Sequence, residues 1–198
     1  SGRVFFDLQN ASYAPVNVPE GVSSVQVLKK ANGLVRENAG ASLVDLGDGV
    51  ACIEFHTKMN SIGADIVTFL TDTLRPDGDA VANFEAFVIS SDAANFSAGA
   101  NLMQLLLAAQ DEEWDEIDLM IRAFQKMTQS IKFCPRPVVA APFGMCLGGG
   151  AEICMHSAAR QAHAELYMGL VETGVGVIPA GGGCKESVLR AVDTAASL

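Results

Sequence analysis

The sequence has no apolar run long enough to span a bilayer, so no membrane-spanning helix is expected. No basic stretch followed by an apolar one opens it, and no secretory signal is read there. No Gly-x-Gly-x-x-Gly dinucleotide fingerprint occurs, and Gly183-Cys184-Lys185 lacks the Gly-Lys-Ser/Thr ending of a phosphate-binding loop. The Gly-x-Ser-x-Gly elbow of many serine hydrolases is absent. Cys146, Cys154, His156, His163 and Cys184 show no Cys-x-x-Cys or His-x-x-x-His spacing, so no metal is expected. Positive charge is scarce: 13 basic residues stand against 23 acidic ones, a net charge of −10. Such a field repels nucleic acid and anionic membranes, and neither is expected as a partner. An anionic ligand would need a local basic patch.

What is present is a globular composition. Apolar residues make up 49% of 198 and charged residues 18%, enough for one domain with its own core. Five cysteines (Cys52, Cys134, Cys146, Cys154, Cys184) are an odd number without framework spacing. They read as reduced thiols of a cytoplasmic protein.

Residues 1–40 look unlike the rest. Asn10 to Glu20 carries prolines and asparagines with little periodicity, as an extended connector would. Val22 to Arg36 suits a short strand or helix. This stretch is read as an N-terminal extension or interdomain junction, and residues 41–198 as the core domain. Ser42–Leu46 and Val50–Phe55 flank Gly47-Asp48-Gly49, a hairpin signal. Helical spacing marks Asn60–Leu74, Leu102–Ala109 and Trp114–Lys132. The last has Ile117, Met120, Ile121, Phe124 and Met127 on one face, and Trp114 is read as packing with it. Asp111, Glu112 and Glu113 would form its acidic first turn. Phe84–Ile89, Pro137–Ala141 and Arg160–Tyr167 read as strands, Ala151–Ser157 as an apolar helix, and a last helix starts near Lys185. Strands alternating with helices predict an α/β domain with short strand-to-helix turns.

Two of those turns stand out. Asn95-Phe96-Ser97-Ala98-Gly99-Ala100-Asn101 follows one strand, and Gly144 to Glu152, with Gly148-Gly149-Gly150 inside it, follows another. Small residues let main-chain amides approach a ligand, and free N–H groups at a helix start favour negative charge. Side by side, such turns would make an oxyanion site. Either run of glycines alone could simply pack a strand against a helix. Glu152 and Glu172 lie in apolar settings. Buried carboxyls titrate high, which suits proton transfer near neutral pH; each could equally be a structural acid.

These segments resemble the crotonase superfamily. Phe96-Ser97-Ala98-Gly99-Ala100-Asn101-Leu102 is similar to its first oxyanion segment and Gly148-Gly149-Gly150-Ala151-Glu152 to its second. Glu172 with Gly176 to Gly183 resembles the segment bearing the second acid of enoyl-CoA hydratases, and the two acids stand twenty positions apart. The resemblance implies a ββα-repeat spiral core and hydration of 2-enoyl-CoA thioesters in fatty-acid β-oxidation. Ala100 and Gly149 would hold the thioester oxygen, Glu152 the water, and Glu172 the proton at the carbon beside the carbonyl. Ala98, Gly99, Asn101 and Gly148 would line the thioester, with His56 and Lys58 as candidates for phosphate or adenine contacts. Asn101 departs from the family's usual aspartate. Family members also continue with C-terminal helices that this sequence does not carry. Gly40 to Val50 resembles the junction of bacterial 3-hydroxyacyl-CoA dehydrogenases fused to a hydratase domain. The resemblance then implies no cofactor here beyond the CoA of the substrate, NAD only in a domain outside this chain, and a homo-oligomeric full-length protein. An enoyl-CoA isomerase and a non-catalytic acyl-CoA-binding domain are the alternatives.

Overall fold

The computed structural model describes residues 4–15 and 24–196. A small hairpin comes first, β1 (Val4–Asp7) and β2 (Ser12–Pro15). It takes up the start of the stretch expected as a connector; Val16 to Ser23 lie outside the described residues. Next come α1 (Val25–Leu28), a π turn over Lys29–Gly33, and β3 (Leu34–Glu37). The hairpin of β4 (Ala41–Gly47) and β5 (Val50–Phe55) follows. Its turn needs glycine: Gly47, Asp48 and Gly49 have φ of 89°, 52° and 74°, the region that suits hairpin turns and strains most side chains. Then come α2 (Ala64–Thr73), α3 (Asp79–Asn83), β6 (Ala86–Ser90), α4 (Leu102–Gln110) and α5 (Trp114–Lys132). The chain finishes with β7 (Val138–Ala140), β8 (Met145–Leu147), α6 (Gly149–His156), β9 (Ala159–Arg160), β10 (Tyr167–Gly169), a 3-10 turn over Glu172–Val175, and α7 (Gly183–Ala196).

Six strands form one sheet in the order β3-β4-β5-β6-β7-β9. The first two pairings are antiparallel and the other three parallel. β8 and β10 make a separate parallel pair. Ala51, Ile53 and Phe55 of β5 join Leu43, Phe87 and Ile89 on one face, under Ile66, Phe69 and Leu70 of α2 and Met127 and Ile131 of α5. Each such side chain contributes about 1.5–3 kcal/mol on burial. The other face holds Ser42 and Glu54, which pair across β4 and β5. The π turn and α1 cover it through polar contacts: Lys29 Nζ lies 2.9 Å from both the Glu54 carboxylate and Ser42 Oγ, and Gln26 Nε2 donates to Glu54 at 3.1 Å. β3 therefore brings residues 34–37, from the expected junction, into the sheet.

The α/β class is as expected, and α5 has the predicted bounds. Three readings are corrected. Arg160–Tyr167 is not one strand. Its ends pair with different partners, β9 with β7 and β10 with β8, and the residues between turn through Leu166 N donating to the His163 carbonyl. Trp114 is not packing, because it sits at the outer end of α5 and is 63% exposed. The acids of the first turn of α5 are Asp115 and Glu116, since Asp111–Glu113 form the bend before it. Among the described residues no helix is long and apolar enough to cross a membrane.

Candidate active site

The segment after β6 is clamped on both sides by main-chain hydrogen bonds. Phe96 N and Ser97 N donate to Phe143 O and Met145 O, each at 3.0 Å. On the other side Ala98 N donates to Met59 O (3.1 Å), and Ile62 N and Asn101 N exchange bonds with Gly99 O and Ile62 O. Ser97 Oγ donates to Asn60 O and accepts from Gly99 N. Ala100 is the residue skipped in this pattern: among the described residues its N–H has no protein acceptor. Asn101 caps α4, its side-chain oxygen accepting from Met103 N at 3.2 Å. The amide oxygen serves there as a carboxylate oxygen would.

The second turn joins β8 to α6. Gly148 N donates to Gly169 O at 2.9 Å, and Gly148 adopts φ 49°, ψ −117°, a conformation left to glycine. Gly149 opens α6, so its N–H has no partner inside the helix. The Ala100 nitrogen lies 3.4 Å from where a Cβ on Gly149 would stand, and a Cβ on Gly99 would lie 3.5 Å from the Gly149 nitrogen. The two free amides are thus neighbours, one of them at the positive end of a helix dipole. The Phe124 ring of α5 packs on Gly149, and a side chain at Gly181 would collide with both that ring and Glu152.

The acids flank this pair. Glu152, in the first turn of α6, is 3% exposed, and its Oε1 accepts the Gly183 N–H at 2.8 Å. Burial pushes its carboxyl up to about 7; the Gly183 and Gly181 amides oppose that shift and the Glu172 charge adds to it. Glu172 starts the 3-10 turn. Its Oε1 lies 3.1 Å from where a Gly148 Cβ would stand, and its Oε2 is buried without a hydrogen-bond partner. Glu172, Gly148, Gly149, Gly99, Ala100 and Glu152 are therefore brought together. Ala98 stands on the same turn, held by the Met59 carbonyl.

His56 and Lys58 are placed differently. His56 Nε2 lies 3.0 Å from Ser42 Oγ, on the Lys29 and Glu54 face of the sheet. Lys58 is exposed on the loop whose next residue, Met59, holds Ala98. Sequence reasoning assigned no role to the Gly181 and Gly183 amides at Glu152 or to Phe124. The glycine run before Cys184 was the signal for the first. Phe124 carried none, because its i, i+3 spacing reads as core.

Comparison with known proteins follows the same lines. A profile of the family described as enoyl-CoA hydratase/isomerase matches residues 49–187. A Bacillus subtilis protein named a probable 3-hydroxyacyl-CoA dehydrogenase is 46% identical over 94% of this chain. The chain spans only 23% of that relative's length. The crystal structure of an enoyl-CoA hydratase from Bacillus anthracis superposes with a TM-score of 0.65 at 24% identity, over 74% of this chain and 56% of the other. One from Polaromonas gives 0.67 at 22% identity, over 74% and 56%. At these identities the two structures establish a shared fold.

Proposed function

Since this chain belongs to the enoyl-CoA hydratase/isomerase family and has the crotonase fold, we propose that it adds water across the double bond of a 2-enoyl-CoA thioester. One observation carries this reading: two carboxyls, electrostatically coupled, stand beside two adjacent main-chain amides that lack acceptors.

The thioester oxygen sits between the amides of Ala100 and Gly149. Attack of water on the far carbon moves charge onto that oxygen as an enolate. Preorganised donors stabilise it, by about 3–4 kcal/mol each on the scale of oxyanion-hole deletions. Glu152, titrating at about 7, is basic enough to take a proton from the attacking water and ionised in a large fraction of molecules near neutral pH. Glu172 delivers a proton to the carbon beside the carbonyl, and the proton that Glu152 took from the water replaces it when the site resets, so that only water is consumed. The hydroxyl has then joined one carbon and a hydrogen the other, and the product is a 3-hydroxyacyl thioester. The name of the Bacillus subtilis relative, a probable 3-hydroxyacyl-CoA dehydrogenase, supports placing the domain in a longer protein whose dehydrogenase part oxidises that product.

The test uses the full-length protein that contains this chain, mixed with crotonyl-CoA. The absorbance of the conjugated thioester should fall, and Glu152→Gln should slow the fall by roughly 10²–10⁴-fold. A folded wild-type protein that leaves crotonyl-CoA untouched overturns the proposal. Isomerisation of a 3-enoyl-CoA that survives Glu152→Gln, without hydration, would put an isomerase in its place.

A further inference from the structure

The hydration step leaves one buried group beside Glu152 without a role. His156 lies one helical turn after Glu152 on α6 and is 2% exposed. Its Nδ1 is 2.7 Å from the Glu152 carbonyl oxygen. A carbonyl only accepts, so Nδ1 carries the proton. Burial holds the ring's pKa below the ordinary histidine value, and the neutral ring leaves Nε2 with a lone pair. That atom has no hydrogen-bond partner and lies 3.6 Å from Glu186 Oε1.

The other side of the ring meets the turn that grips Glu152. A Cβ on Gly182 would stand 2.6 Å from His156 Cε1, so the imidazole packs directly on the Gly182 main chain. Gly183, the next residue, donates to the Glu152 carboxylate. α5 holds the outside of the turn, with Gln125 Nε2 donating to Ala180 O (2.8 Å) and Thr128 Oγ1 to Gly181 O (3.0 Å). Glu186 holds its far end. Its N–H donates to Gly182 O at 2.9 Å, and its carboxylate takes Lys132 Nζ of α5 at 2.6 Å and Lys185 Nζ at 2.9 Å.

Resting on the hydratase reading of this site, we propose that His156 is the positioning residue for Glu152: its ring, bonded to the Glu152 carbonyl and packed on Gly182, fixes the Gly181–Gly183 turn whose amides set the charge and direction of the Glu152 carboxylate. The charged groups around this unit are Lys132 of α5, Lys185, Glu186, Arg190 and Asp193 of α7, with Arg190 donating to the Met155 carbonyl and acting on Glu186, and Glu172 facing the Glu152 carboxyl. His156 touches no reacting atom.

The amides favour the ionised carboxylate, so loosening the turn raises the Glu152 pKa further. In the full-length protein, His156→Phe keeps ring volume and removes the Nδ1 donor. The Glu152 carboxyl, followed by NMR with labelled glutamate and assigned through Glu152→Gln, should titrate about half a pH unit or more above the wild type. The acid limb of the kcat profile for crotonyl-CoA should move up equally, with kcat down about tenfold and KM within about twofold. A variant that is only partly folded would lose rate at every pH and leave the limb in place. His156→Asn, which keeps a donor near Nδ1, should bring the titration back towards the wild type. Should His156→Phe fail to fold, Lys132→Met, which removes one anchor of Glu186, should shift the midpoint in the same direction. An unmoved Glu152 midpoint, or His156→Asn as displaced as His156→Phe, overturns the proposal. The titration is run without substrate, so a wild type that does not hydrate removes the hydratase reading alone, and an unmoved midpoint in a hydrating enzyme removes this one alone.

Discussion

Glu152 carries its charge against the environment that surrounds it. Its carboxyl titrates near 7 when folded and near 4.5 when exposed. Between those values the folded chain holds more protons than the unfolded one, so the contribution of Glu152 to stability falls as pH rises through that window. Above it the folded state bears the full penalty of the buried charge. Glu152→Gln keeps an oxygen for the Gly183 amide and should stabilise the protein above pH 7, by on the order of 2–3 kcal/mol. Urea midpoints measured across the window should show a flatter pH dependence for the variant. Glu186 runs the other way. Burial alone would raise it, but Lys132 and Lys185 hold it down at about 2, so its contribution is present above about 4.5 and is lost as pH falls towards 2. Glu152 was legible because a carboxylate among Ile153, Cys154 and Met155 has no solvent-facing explanation. His156 was not, since only the folded chain places its ring between the Glu152 carbonyl and the turn that starts another helix.

At the scale of elements the site is two turns, each depending on a glycine that no other residue replaces. Gly99 has φ 95°, and a Cβ there would lie 2.9 Å from the Leu147 carbonyl oxygen, which belongs to the other turn. Gly99→Ala forces the turns apart and should lower kcat by about 10²-fold or more, while destabilising the fold by about 1–3 kcal/mol. Gly174→Ala serves as the contrast, because nothing stands within 4 Å of a Cβ there. It should leave kcat and the urea midpoint close to wild type. A Gly99→Ala protein with wild-type kcat would show that these amides do not hold the reacting oxygen. Long elements were readable: α5 presents Phe124 and Met127 inward over five turns of one repeating pattern. The stretch from Arg160 to Tyr167 was not, because its strands last two or three residues and exist through the partners they pair with.

Across the whole molecule, residues before Ala41 are tied into the sheet by a buried charge. Glu54 is 2% exposed and is paired with Lys29 from the π turn. Lys29→Met leaves that carboxylate without its cation and should lower stability by about 2–4 kcal/mol. Adding Glu54→Gln should return much of the loss, and a strictly additive double-mutant cycle would mean that the pair does not couple the π turn to β5. By itself the sequence determined the α/β class, the hairpin at Gly47-Asp48-Gly49, the bounds of α5 and the two glycine turns with their acids. Those features follow from periodicity, φ preference and local chemistry, which act over a few neighbouring residues. Tertiary structure alone decided that Ala100 and Gly149 are neighbours, that Gly183 grips Glu152, and that His56 turns to Ser42. The first two join segments far apart in the chain, which only the packing of strands and helices brings into contact; the third depends on the register of the β4–β5 pairing, which the turn signal alone does not give.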